Sequence, residues 1–153
     1  MYAGIGRLLI ACAILLACVT PAADLPKVTI TPIPSRGEVV RLMEFEVTAF
    51  DLSVQCCGKP LGHPARGITK GGYNLNGMTR AQAQTIACNS LPIGARVRLI
   101  FDGSRAQYSG VYVVRDTGGM GAGVLDLFMG DFGEEVGAET EAFGRVTAKA
   151  EIL

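Results

Sequence analysis

Two aspartates are the residues of this 153-residue chain best suited to carry chemistry. Arg115 and Asp116 directly follow an apolar run, and Asp126, ten positions after Asp116, has a leucine on each side. Strands disfavour aspartate and an unpaired buried carboxylate is costly, so Asp126 is expected to point into a cleft. Burial and a neighbouring charge can raise the pKa of one carboxyl of a pair, which makes it a general acid, while the other stays ionised. Such a pair suits the cleavage of a glycosidic bond.

The same two residues also have an architectural interpretation. Asp116 can cap a helix or close a turn with its side chain, and Asp126 can be neutralised in a salt bridge. Residue types and spacing alone leave both interpretations open.

Cysteine and histidine offer a weaker case for chemistry. Cys56, Cys57, Cys88 and the single histidine, His63, are too few and too loosely spaced for a metal site, and a thiol nucleophile paired with His63 would have no third group nearby. No metal or organic cofactor is therefore predicted. In an oxidising compartment a disulfide to Cys88 is expected, from Cys57 or from Cys56. Neighbouring Cys56 and Cys57 would close a strained ring if they paired with each other.

Composition indicates a globular protein of the all-β class. Hydrophobic residues make up 49% of the chain and charged residues 18%, which is richer in apolar groups than a disordered chain. The 20 glycines suit a fold with many tight turns. The formal net charge is zero and no basic stripe is visible, which argues against nucleic acid as a partner.

The first 23 residues have the pattern of an export signal. Arg7 provides the positive end, and residues 8–19 are uncharged and mostly apolar. That run is shorter than the roughly 20 apolar residues of a membrane-spanning helix. A buried N-terminal helix is the alternative, but an aspartate and a proline-rich stretch follow at once.

Two processing routes compete at the end of this signal. Residues 15–18 resemble a bacterial lipobox in which Cys18 would be lipidated, and residues 20–22 offer an ordinary small-residue cleavage site. Residues 24–43 contain several prolines and are predicted to be an extended linker, which would tether the protein to a membrane if Cys18 carries lipid. The folded domain is predicted over residues 44–153.

The domain itself is predicted to consist mainly of strands. Alternating or apolar runs predict strands at residues 44–50, 96–101, 108–114, 124–128 and 145–153. Residues 68–69 are a further short strand candidate, residues 78–87 are ambiguous between helix and strand, and Asp102-Gly103 predicts a hairpin turn. One short C-terminal helix is predicted over residues 131–143, with Asp131 as its N-cap and Gly144 as its stop.

Several short motifs in a fixed order resemble the 3D domain, a family named for its three aspartates. They cover residues 44–153, and the order of the pieces is more specific than any one of them. The matching segments are Val47-Thr48-Ala49-Phe50, Cys57-Gly58-Lys59-Pro60, Gly62-His63-Pro64-Ala65, Gly67-Ile68-Thr69, Leu91-Pro92-Ile93-Gly94-Ala95-Arg96-Val97, Asp116-Thr117-Gly118-Gly119, Leu125-Asp126-Leu127-Phe128 and Ala142-Phe143-Gly144-Arg145.

The resemblance implies a six-stranded double-psi β-barrel related to membrane-bound lytic transglycosylase A and to resuscitation-factor-like muralytic proteins. It implies that Asp126 is the catalytic acid and base and that Asp116 supports it, with substrate contacts at Thr69, Thr117, Gly118 and Gly119. The chain departs from the family where residues 86–90 contain no acid, although the family has its first aspartate there. It also has Phe50 in place of a tyrosine and no polar residue at residues 120–123.

The function implied is that of a peptidoglycan lytic transglycosylase, which cleaves the MurNAc–GlcNAc bond and leaves a 1,6-anhydro end. Its partner would be the glycan strand, and it would act as a monomer in the periplasm, at the outer membrane or elsewhere in a bacterial cell envelope. Two alternatives remain open at this stage. One is a wall-binding module without catalysis, and the other is an exported structural domain that binds a protein.

Overall fold

A computed structural model describes residues 42–153 of the protein. The predicted export signal (residues 1–23), the lipidation candidate Cys18 and nearly all of the predicted linker lie outside the described residues. Within the described residues the first strand begins at Leu42, two residues before the predicted domain.

Six strands and three short helices make up the described fold. The strands are β1 (Leu42–Phe50), β2 (Thr85–Cys88), β3 (Arg96–Ile100), β4 (Gly110–Asp116), β5 (Val124–Phe128) and β6 (Val146–Ile152). The helices are α1 (Val54–Cys57), α2 (Arg80–Ala83) and α3 (Ala138–Phe143), and a 3₁₀ helix spans Gly103–Tyr108.

The strands close into a mixed barrel in the order β1-β5-β2-β4-β3-β6. β1 pairs with β5 in parallel and β2 pairs with β4 in parallel, while the other four pairings are antiparallel. The prediction of a six-stranded β-barrel with a short C-terminal helix is confirmed at this level. Closure leaves none of the six strands as an open sheet edge.

The barrel interior follows from the two-residue period of the strands, which sends alternate side chains to opposite faces. On β5, Leu125 and Leu127 are fully buried inside the barrel, and Asp126 between them faces outward. Val47 on β1 and Val114 on β4 point inward in the same way. Outward-facing positions on β1, β5, β2 and β4 are therefore free to build a site on the outer surface.

A second apolar cluster lies outside the barrel and fixes the long segment between β1 and α2. Phe128 of β5 is fully buried there against Leu52 and Leu75, and its ring centroid is 5.4 Å from that of Phe50. The segment thus covers the end of β5 at Phe128 but leaves the position of Asp126 open to a cleft.

Two local predictions were wrong. The helix predicted over residues 131–143 is confined to Ala138–Phe143, because the carboxylate of Asp131 bonds to Arg66 instead of capping a helix. The turn predicted at Asp102-Gly103 is the start of the 3₁₀ helix, and β4 begins only at Gly110.

The predicted disulfide between Cys57 and Cys88 is not formed. All three cysteines of residues 42–153 are free, with Cys56 exposed, Cys57 partly exposed and Cys88 buried. Cys88 points into the barrel core from β2, whereas the Cys57 thiol lies against the carbonyl oxygen of Leu52 at 3.3 Å. The two side chains belong to opposite sides of the barrel wall.

Among residues 42–153, no helix combines the length and the apolar character needed to cross a bilayer.

Candidate functional site

Four residues from four neighbouring strands form a row on the outer face of the barrel. Thr48 of β1 pairs with Asp126 of β5, and Ala87 of β2 pairs with Asp126 on one side and with Asp116 of β4 on the other. The two aspartates are thus two strand spacings apart, about 10 Å between Cα atoms. Ala87 between them has only a methyl side chain, which leaves open space between the two carboxylates.

A β-bulge brings Asp116 into this row. Ile86 pairs with Val114, but the next residue of β2, Ala87, pairs with Asp116, so Arg115 is the extra residue on β4. A bulge places two residues of one strand opposite one of the other and redirects the side chains that follow. The guanidinium of Arg115 lies 3.9 Å from the centroid of the Tyr73 ring, which places it beside the second cluster.

Ala87, Asp116 and Asp126 of this row form the floor of an open cleft of about 460 Å³. One wall is the segment after β1 and its second cluster, and the opposite wall is the glycine-rich loop after β4, which includes Thr117 and Met120. A cleft of this size with an apolar wall and a few polar groups is typical of a small-molecule or oligomer site. Its lining residues include Phe50, Leu52, Cys56, Cys57, Lys59, Ile68, Leu75 and Ala87 in addition to the predicted site residues.

Asp126 on the cleft floor is partly desolvated, and its pKa is shifted. Burial raises the pKa of Asp126 above its ordinary value, and a hydrogen bond from Thr48 and the positive charge of Arg145 oppose that rise only in part. The Thr48 hydroxyl donates to Oδ1 of Asp126 over 2.7 Å. Within the described residues Asp126 takes part in no salt bridge, because Arg145 pairs with Glu46. Asp126 is therefore suited to hold a proton that it can give away.

Asp116 has a different environment. Its Oδ1 accepts two backbone hydrogen bonds, from the N–H of Lys70 over 2.8 Å and from the N–H of Thr117 over 2.9 Å. These bonds tie the start of the glycine-rich loop to the segment on the opposite wall. Asp116 thus joins two distant backbone segments beside the cleft and still contributes a carboxylate to its floor.

All of the predicted catalytic and substrate-binding residues lie along this one cleft. Asp126, Asp116, Thr69, Thr117, Gly118 and Gly119 line it together. Thr69 is buried and its hydroxyl oxygen accepts the N–H of Tyr73 over 2.9 Å, so the hydroxyl proton is left to be donated. Thr117 and the two glycines are exposed on the facing loop. His63 is absent from the cleft lining and accepts the N–H of Ala65 within its own loop.

Three residues that support the site were not singled out from the sequence. The sequence indicates Thr48 only as part of a motif, although its hydroxyl bonds to Asp126, and Asn89 binds the glycine-rich loop. Asp51 is fully buried directly after β1. Burial alone would raise the pKa of Asp51, but hydrogen bonds from Ser53 and from the N–H of Gly137 outweigh burial and keep it below the ordinary value. An acid that directly follows an apolar strand was the signal available for Asp51.

An ion pair anchors the wall formed by the segment after β1. Arg66 donates to both carboxylate oxygens of Asp131, over 2.7 and 3.2 Å, and to Oδ1 of Asn76 over 2.9 Å. The pair is largely buried, with side-chain exposures of 5% and 15%. The hydrogen bonds from Arg66 lower the pKa of Asp131 to about 2. The wall of the cleft is therefore joined to the segment after β5 as well as to the second cluster.

Within residues 42–153, no cluster of three or more histidine, cysteine or acidic side chains is arranged to hold a metal ion. Neither a scan against protein-family models nor a search of curated proteins finds a match to this chain.

Proposed function

We propose that this protein is a peptidoglycan lytic transglycosylase with Asp126 as its acid and base. The observation that carries the proposal is the position of Asp126. It lies on the floor of an open cleft, partly desolvated, with a raised pKa and no salt-bridge partner among the described residues. A carboxyl of this kind retains its proton closer to neutral pH than an ordinary aspartate, which a general acid requires.

In the proposed reaction, protonated Asp126 donates its proton to the oxygen that links C1 of N-acetylmuramic acid to N-acetylglucosamine. The C1–O bond breaks and the glucosamine unit leaves as an alcohol. The carboxylate of Asp126 then removes the proton of the muramyl 6-hydroxyl as that oxygen bonds to C1. The product is the 1,6-anhydro sugar, and Asp126 ends protonated as it began, with no water consumed.

The proposed mechanism uses one catalytic carboxyl. Asp116 and Asp126 stand two strands apart, about 10 Å between Cα atoms, with Ala87 between them. Intramolecular attack by the 6-hydroxyl needs no second carboxyl at the anomeric carbon. Asp116 is left to shape the cleft and to hold negative charge at its end.

The proposal includes the double-psi form of the barrel and membership of the 3D family. Two parallel pairs within a closed six-stranded barrel, β1 with β5 and β2 with β4, support the double-psi assignment. Peptidoglycan as substrate also requires export to the cell envelope, in keeping with the signal and the lipobox pattern in the sequence. Thr69 and Thr117, which both line the cleft, are the proposed sugar contacts.

A wall-binding module without catalysis is the second candidate, and one observation favours it. Both hydrogen bonds that Asp116 accepts come from backbone N–H groups, as expected of an aspartate that only joins two segments of backbone. If Asp116 is architectural, the cleft has one carboxyl for chemistry, and a glycan can bind there without being cut.

Digestion of purified peptidoglycan sacculi separates the two candidates. Wild-type protein is expected to release anhydromuropeptides, and Asp126→Asn is expected to lose that release while still pelleting with sacculi. Asp102→Asn is the matched control, because Asp102 is an exposed acid outside the cleft lining. No release by the wild type, with both proteins pelleting equally, would reject the enzyme and favour the binding module.

A further inference from the structure

The glycine-rich loop after β4, residues 117–123, forms one wall of the cleft and has few internal features that would fix its conformation. Four glycines stand within residues 118–123, and glycine loses more backbone freedom on ordering than any other residue. Gly119 and Gly121 are exposed and would meet no atom within 4 Å if they carried a side chain, so nothing packs against them. A contact from outside the loop is needed to keep this wall in place.

Asn89 makes that contact with both ends of its side-chain amide. Its Nδ2 donates to the carbonyl oxygen of Gly118 over 2.9 Å and to that of Met120 over 2.6 Å. Its Oδ1 accepts the N–H of Gly118 over 3.2 Å. The adjacent Ser90 adds a fourth bond, because its hydroxyl oxygen accepts the N–H of Gly123 over 3.2 Å. The two residues directly after β2 thus bond to the loop at three positions, Gly118, Met120 and Gly123.

These contacts require an amide and not a carboxylate. An asparagine side chain has two N–H donors and a carbonyl acceptor, whereas an ionised aspartate can only accept. A carboxylate at this position would put a negative oxygen against the carbonyl oxygens of Gly118 and Met120. It would also remove both donors and leave those carbonyls to water.

We infer that Asn89 is a positioning residue that sets the glycine-rich wall of the cleft, and with it Thr117, at the distance from Asp126 that a bound glycan needs. The inference deepens the proposed function and rests on it for the identity of the ligand. The contact between Asn89 and the loop stands without that function.

The charge-changing pair Asn89→Asp and Asn74→Asp tests the amide requirement directly. Asn74 is also exposed, but the atom it uses is Oδ1, which accepts from the backbone N–H and from Nδ2 of Asn76. A carboxylate keeps those bonds. Asn89→Asp should therefore disturb its loop at neutral pH, whereas Asn74→Asp should not disturb its own.

The first measurement is of the loop itself, by amide NMR of residues 117–123. Asn89→Asp and Asn89→Ala are both expected to shift and broaden these signals. Only the aspartate variant should recover part of the wild-type spectrum below about pH 4, where its carboxyl gains a proton and can donate one bond. Wild-type loop signals in Asn89→Asp at neutral pH would overturn the inference, whether or not the protein cleaves peptidoglycan.

The second measurement is the split between KM and kcat on soluble glycan strands. Asn89 bonds to the wall and not to Asp126, so Asn89→Asp is expected to raise KM about five- to tenfold and to leave kcat and its pH dependence unchanged. Cleavage faster than wild type, or a change confined to kcat, would overturn the positioning role. Absence of cleavage by the wild type would reject the proposed function. The NMR measurement would then still test the contact between Asn89 and the loop.

Discussion

The hydrogen bond between Thr48 and Asp126 makes a prediction that separates chemistry from packing. Thr48→Val keeps the shape and the branched β-carbon of the side chain but removes the hydroxyl that donates to Oδ1 of Asp126 over 2.7 Å. That bond favours the ionised carboxylate and lowers the pKa of Asp126 against the effect of burial. Without it, burial is opposed only by the charge of Arg145, and the pKa of Asp126 is expected to rise further.

The size of the effect follows from the kind of bond that is lost. A hydrogen bond to a charged group contributes about 1.5–3 kcal/mol, and the lower end applies here because Thr48 and Asp126 are only partly buried. Because 1.36 kcal/mol corresponds to a factor of ten, the acid dissociation constant of Asp126 should fall about tenfold.

Two assays report this change. Carboxyl carbon NMR of Asp126 follows its titration directly, with no substrate present. The pH profile of kcat/KM on glycan strands should show its alkaline limb moved to higher pH, because the free enzyme needs Asp126 protonated. Thr147→Val is the matched control, since Thr147 is an exposed threonine on β6 outside the cleft lining.

Two results would refute this reasoning. If the carbon titration of Asp126 is the same in Thr48→Val as in the wild type, the hydroxyl does not favour the carboxylate. If the titration moves but the alkaline limb of the pH profile does not, then Asp126 is not the acid that governs cleavage.

Other predictions concern the walls of the cleft. Asp131→Asn leaves Arg66 without its ionic partner and should lower the free energy of unfolding by about 3 kcal/mol in a urea titration, with wild-type stability contradicting the account. Because the pKa of Asp131 is about 2 in the folded state, below its ordinary 3.8, the pair stabilises the fold above about pH 4. About 2 kcal/mol should be lost as the pH falls from 4 to 2, and Asp131→Asn should show a flatter pH dependence over that interval. Leu75→Ala leaves a cavity at a fully buried position in the second cluster and should lower the free energy of unfolding by about 2–5 kcal/mol, measured by thermal unfolding. A loss below about 1 kcal/mol would show that the wall is not packed there. In a native alkylation time course followed by mass spectrometry, Cys56 should react first and Cys88 only on unfolding, and early modification of Cys88 would contradict its place in the core.

Much of the barrel was predictable from residue alternation. The strand at Val124–Phe128 was predicted with its observed bounds, because burying Leu125 and Leu127 in the barrel places Asp126 on the outer face. The order of the strands could not be derived from periodicity. The order depends on which strands pair across long separations in sequence, and only the family resemblance suggested a closed barrel.

The cleft shows where local sequence reasoning ends. Thr48 and Asp126 are 78 positions apart, and the sequence around either residue does not predict their hydrogen bond. The bulge that brings Asp116 beside Ala87 is a property of the pairing between β2 and β4 and not of either strand alone. The sequence pattern predicts Asp131 as a helix cap because it does not show that Arg66 is its partner.

The most direct test of the central claim is the source of the oxygen at the cut end. Sacculi digested by the protein in heavy-oxygen water should yield anhydromuropeptides with no label at the new muramyl end, because the 6-hydroxyl and not water attacks C1. Release of these products should disappear in Asp126→Asn. Labelled reducing ends would identify a hydrolase, and unchanged release by Asp126→Asn would contradict the role assigned to that carboxyl.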